Sequence, residues 1–224
     1  MLKKTYNKDL PDYTKGEEIF NAVSHIVGGG FGVVALVLGI VMACIHSDAY
    51  GIVSMAIYGS SMILLYTMSA IYHFLRRNRA KKVFRIFDHC TIFLLIAGTY
   101  TPYCLVTLRN AGAWGWSIFG VVWGFAILGI VFNAINMHKP IIKFLSMVCY
   151  LAMGWCVVIA IGPLLANLPF AGFLWLLAGG VMYTIGAVFY LFGSKKRYIH
   201  SVWHLFCLAG TIPQFISILF YVLM

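Results

Sequence analysis

Residues 51–108 read G-I-V-S-M-A-I-Y-G-S-S-M-I-L-L-Y-T-M-S-A-I-Y-H-F-L-R-R-N-R-A-K-K-V-F-R-I-F-D-H-C-T-I-F-L-L-I-A-G-T-Y-T-P-Y-C-L-V-T-L. Two long apolar runs flank a short segment that carries Arg76, Arg77, Arg79, Lys81, Lys82 and Arg85. A bilayer-crossing helix needs roughly 20 mostly apolar residues. The stretch therefore predicts a helical hairpin, Gly51 to Leu75 and Phe84 to Leu108, with its cations at the turn. Outward from it, five more segments meet the same criterion: Ile19 to Ile45, Trp114 to Ile135, Ile141 to Leu165, Phe170 to Phe192, and Ile199 to Met224. The expected fold is an all-α integral membrane protein, a seven-transmembrane-helix bundle. A short tail, residues 1–15, precedes one transmembrane domain, residues 16–224.

Composition agrees. Of 224 residues, 62% are apolar and 10% charged, and the mean hydropathy is +0.92. A soluble domain would be about a quarter charged, and a disordered chain would be more polar still. No period-2 alternation supports a β-barrel.

Fifteen of the sixteen Lys and Arg fall on one face if there are seven spans. They precede span one (Lys3, Lys4, Lys8, Lys15), join spans two and three, join spans four and five (Lys139, Lys143), and join spans six and seven (Lys195, Lys196, Arg197). Only Arg109 lies opposite. Basic loops stay in the cytoplasm, so the N-terminus is expected there, the C-terminus outside, and the chain in the cell membrane. The net charge of +10 thus reports topology, with anionic headgroups as partners at the basic loops. No soluble basic domain offers itself to nucleic acid.

Ionisable groups inside spans are expensive and mark functional sites. Asp88 is the one carboxylate in the spans beyond the first. His73 ends span two, Asp88 opens span three, and His200 and His204 open span seven. Asn21 and His25 lie early in span one, after Glu17 and Glu18. Alternating span direction brings all of them to one layer at the cytoplasmic leaflet. His200 and His204, four residues apart, share a helix face. Such a pair is half of many zinc sites; it also arises by chance or bridges helices by hydrogen bonds. With His73 as third ligand it makes a catalytic-type zinc site, its fourth place left to water. Asp88 would then orient a ligand or the water, and Ser69, one turn from His73, could hydrogen-bond there. His89 points about 100° from Asp88 on an ideal helix and is expected to face elsewhere. The six cysteines are expected to be mostly buried thiols.

Four segments carry a resemblance to a known family: G-E-E-I-F-N-A-V-S-H (Gly16 to His25), S-A-I-Y-H (Ser69 to His73), F-D-H-C-T-I-F-L-L-I-A-G-T-Y-T-P-Y (Phe87 to Tyr103) and H-S-V-W-H-L-F (His200 to Phe206). The chain resembles the hemolysin III family, the bacterial branch of the progestin and adipoQ receptor superfamily. The resemblance implies a Zn2+ ion held by His73, His200 and His204, with Asp88 and Ser69 beside it. It also implies accessory roles for Glu17, Asn21 and His25. The wider superfamily is similar to alkaline ceramidases, so the expected activity is hydrolysis of a lipid amide or ester. The competing expectations are a membrane sensor or receptor-like protein with structural zinc, and the cytolysis that the family name suggests. No polar stripe runs the length of a span to support the last. One departure is Gln214-Phe215 after Pro213, where the family often has His-Phe; Pro213 is expected to kink the seventh span.

Overall fold

The computed structural model describes residues 10–137, 139–192 and 196–224; Lys3, Lys4, Lys8, Asp9, His138 and Lys195 lie outside them. The helices are α1 (Lys15–His46), α2 (Ala49–Phe74), α3 (Arg79–Pro102), α4 (Trp114–Asn136), α5 (Pro140–Gly154), α6 (Ile161–Asn167), α7 (Phe170–Phe192) and α8 (Ile199–Tyr221). No strand occurs among the described residues. Seven helices are long and apolar enough to cross a membrane, α5 and α6 together making one of them. Each span packs on the next and α8 returns to α1, so the bundle closes into a ring. The α3 span is the most buried. Val23, Val27, Val34, Val37 and Val41 of α1 face outward, which in a bilayer is the lipid-facing side. This is a multi-pass membrane protein in contact with lipid.

Local chemistry sets the helix ends. Thr14 and Glu17 form a capping box that starts α1, satisfying two orphan N–H groups reciprocally. Asp48 caps α2 through Tyr50 N and Gly51 N and meets Arg109 at 2.7 Å. The Arg109 guanidinium holds the Asp48 carboxyl below its ordinary range. Asn78 caps α3 by accepting from Lys81 N. That cap starts α3 five residues before the expected Phe84, so Arg79, Lys81 and Lys82 ride on a helix rather than in a loop.

The fifth span is not the continuous helix expected over Ile141 to Leu165. It breaks after Gly154 into a 3-10 turn, Cys156–Ala160, and resumes as α6. Pro163 accounts for this: it has no N–H for the Ile159 carbonyl, and its ring crowds that position. Tyr100 of α3 fills the break, donating from its hydroxyl to Gly154 O at 2.9 Å and accepting from Val157 N at 2.9 Å. Freed backbone groups in a membrane span need such partners. Pro213, by contrast, is carried inside α8 without ending it.

Small residues let the helices close up. A Cβ on Gly28 would fall 2.6 Å from the Tyr66 ring. Of the neighbouring glycines, Gly29 makes only ordinary contacts and Gly30 none within 4 Å, so of these three only Gly28 is in tight contact. At Gly115 the obstacle is backbone: a Cβ would stand 2.5 Å from Cys104 O and 2.9 Å from Leu108 O. Those carbonyls belong to the π turn Tyr103–Thr107 and its end, and they cannot rotate away as a side chain would. Gly115→Ala is expected to destabilise the protein by about 1–3 kcal/mol. Thermal unfolding in detergent checks this, and an unchanged midpoint refutes it.

Candidate metal centre

Two helices bring the three histidines together, α2 with His73 and α8 with His200 and His204. One nitrogen of each lies within 4.8 Å of the others, and all three residues are buried. The Nε2 atoms of His200 and His204 are 3.2 Å apart. Two ligands on a tetrahedral zinc, each at about 2.0–2.1 Å, stand roughly 3.3 Å from one another, so the helical i, i+4 spacing already supplies one edge. His73 Nδ1 meets Glu18 Oε2 at 2.8 Å. A carboxylate only accepts, so this contact places the proton on Nδ1 and the lone pair on Nε2. That Nε2 is buried and has no hydrogen-bond partner. An unpartnered buried nitrogen costs energy unless something accepts its lone pair, and a metal ion does. The three imidazoles could hold a metal ion.

The surroundings are apolar and aromatic. His25 stacks on His204 with centroids 3.7 Å apart and meets Tyr66 edge-on at 5.0 Å. Both of its ring nitrogens are buried without partners, yet it does not join the converging group. Asn21 Nδ2 reaches His73 Nδ1 only at 3.5 Å, a weak contact beside the Glu18 one. Asp88 also stays outside the converging group. It lines, with Ser69, His200 and His204, a cavity of about 610 Å3 that continues between α3, α5 and α7. Ser69 Oγ is buried and unpartnered.

The haemolysin-III related family model matches residues 13–215. The chain belongs to that family. It is 44% identical to Hemolysin-3 of Bacillus cereus over 92% of each chain. It is 41% identical to a Hemolysin-3 homolog of Bacillus subtilis over 93% of this chain and 96% of that one. Human monocyte to macrophage differentiation factor is a remoter relative, 23% identical over 78% of this chain and 72% of its own.

Several residues of this family member sit differently from the sequence expectation. Glu17 does not touch the histidines: it caps Thr14 and accepts from Tyr198 N at 2.7 Å, tying α1 to α8. Its neighbour Glu18 is the carboxylate that reaches His73. The helical phase carried that signal, since Glu18, Asn21 and His25 follow i, i+3, i+7 and share one face. Lys81 is buried and pairs with Glu18 at 2.7 Å, although charge counting places it among the topology cations. His89 does not face elsewhere; it lines the same cavity as Asp88, because that cavity wraps far enough around α3 to border two consecutive residues. Tyr13, before the first span, stacks on His200 with centroids 4.9 Å apart and planes at 13°. Burial pushes its hydroxyl above the ordinary tyrosine value, so it stays protonated. Arg77 holds the segment in front of it through Leu10 O, Pro11 O and Asp12. All six cysteines are free thiols.

Proposed function

We propose that the chain is a zinc-dependent intramembrane hydrolase that cleaves a lipid amide or ester within the cytoplasmic leaflet. One observation carries this reading: three buried, converging imidazoles lie beside a largely apolar cavity that also receives Asp88. His73, His200 and His204 would hold the ion. A zinc ion with an open position acidifies water and polarises a carbonyl. Structural zinc sites are usually closed by four protein ligands, and a converging set of three histidines that omits Asp88 favours the catalytic kind.

The chain's own groups supply the rest. Asp88 would take the proton of the attacking water on a carboxylate oxygen and return it to the leaving amine or alcohol. Ser69 Oγ, one turn from His73 and lacking a partner, would hydrogen-bond the carboxylate and fix its rotamer. Leu95, Ile96, Ile118, Met147 and Leu176 give the cavity an apolar wall that would take an acyl chain. Arg77 beside Pro11 and Asp12, and Tyr198 beside Glu17, gather the basic connections at the end of the bundle that holds the histidines. The positive-inside rule makes that end cytoplasmic, and its cations would draw anionic headgroups toward the site.

The test is a screen of purified, metal-loaded protein in lipid nanodiscs against N-acyl and O-acyl lipids. Release of free fatty acid, abolished by a chelator, is the expected result. No turnover of any lipid amide or ester, with the metal closed to substrate-sized chelators, would overturn the reading.

A further inference from the structure

Lys81 is one of the largest fully buried side chains in the protein, 1% exposed. An ammonium has three protons, and Lys81 Nζ has three acceptors: Glu18 Oε1 at 2.7 Å, Leu75 O at 3.1 Å and His73 O at 3.4 Å. Its charge also lies 4.8 Å from the centroid of the Tyr72 ring. Two of the acceptors are carbonyls at the C-terminus of α2, which no helical N–H satisfies and which favour a cation. The third belongs to a carboxylate whose other oxygen, Oε2, accepts from His73 Nδ1. Lys81 of α3 thus binds the end of α2 directly and, through Glu18 of α1, binds the ring that α2 carries. The contacts form one chain, Lys81 to Glu18 to His73, that stops at the unpartnered His73 Nε2.

We infer that Glu18 and Lys81 are positioning residues of the metal centre, which set the tautomer and orientation of His73. This rests on the reading of the three histidines as a metal site. A carboxylate behind a histidine ligand fixes the ring and makes its free nitrogen more basic. Lys81 keeps Glu18 in the one rotamer that reaches Nδ1. It is also the reason this carboxylate is affordable at the edge of a bilayer, since an ion pair with all its protons used is far cheaper than a lone charge. Glu18→Gln keeps the shape but turns an amide NH2 toward either the ammonium or the imidazole N–H, so one of the two contacts becomes donor against donor. Lys81→Met keeps the buried stem and removes the ammonium.

Zinc competition against a chromogenic chelator tests the inference, with the visible spectrum of the Co2+-loaded protein as a second readout. Wild type is expected to bind one ion, which secures the underlying reading; a wild type that binds none refutes that reading and takes this inference with it. Glu18→Gln and Lys81→Met are each expected to weaken binding about 10–100-fold and to change the Co2+ ligand-field bands. The double variant is expected to lose less than the product of the two, because both act through His73. A merely structural role would lower the unfolding temperature and leave the affinity and the bands alone. Wild-type affinity and spectrum in Glu18→Gln would overturn the inference while the metal centre stood, and this variant decides if Lys81→Met fails to fold.

Discussion

His204→Ala is expected to purify without metal, and the wild type with about one zinc per chain. His204 contributes a nitrogen that faces His200 Nε2 at 3.2 Å and lies 1% exposed among three other imidazoles. Alanine there leaves two nitrogens on two helices, and the neighbouring His25, though stacked on this ring, does not belong to the converging group. The loss of affinity should exceed the 10–100-fold typical of outer contacts, enough for a detergent-purified protein to arrive empty. His25 also loses the ring it stacks on, so the unfolding temperature should fall as well. Elemental analysis of wild type beside His73→Ala, His200→Ala and His204→Ala makes the measurement. One zinc lost in each fixes the site; unchanged metal content in any of the three removes that residue from it.

Asp88→Asn is expected to do the opposite, keeping the zinc and losing turnover by a factor of about 10^2–10^4, the usual worth of a general acid–base group. Asp88 is absent from the set of converging ligand atoms, so metal content should not depend on it. The amide is nearly isosteric, but it cannot take a proton from water. The split between metal content and rate is what separates a reacting ion from a clip between helices. Full turnover in Asp88→Asn would exclude Asp88 from the chemistry. Loss of zinc would make it a fourth ligand and close the site.

Much of the fold could be read in the sequence because membrane spans announce themselves by length and apolarity, and no alternative burial scheme competes within a bilayer. The break in the fifth span was less visible. A proline at position 163 marks a weak point, but where the helix yields depends on Tyr100 arriving from α3 to satisfy Gly154 O and Val157 N. The histidines were legible for a similar reason: few polar groups occupy the spans, and topology sorts those few by depth. Depth does not give azimuth, however. Glu17 and Glu18 share a depth and differ by one step of the helix, and only the face shared with Asn21 and His25 tells which one turns inward. Lys81 was harder still, because a cation at the edge of a span looks like any other topology signal until its three acceptors are seen. Tyr13 left no signal. It stands outside every span, in a stretch that composition treats as tail.

That last residue has a practical side. Anyone shortening the chain to its helices would cut just before Lys15, and every histidine would survive the cut. The plane lying against one face of His200 would not, nor would Leu10 and Pro11, which line the same cavity. Such a truncated protein would keep its three histidines but lose the cover at that end of the bundle, so the few residues ahead of the first helix belong with the cluster they cover and should be left free of fusions.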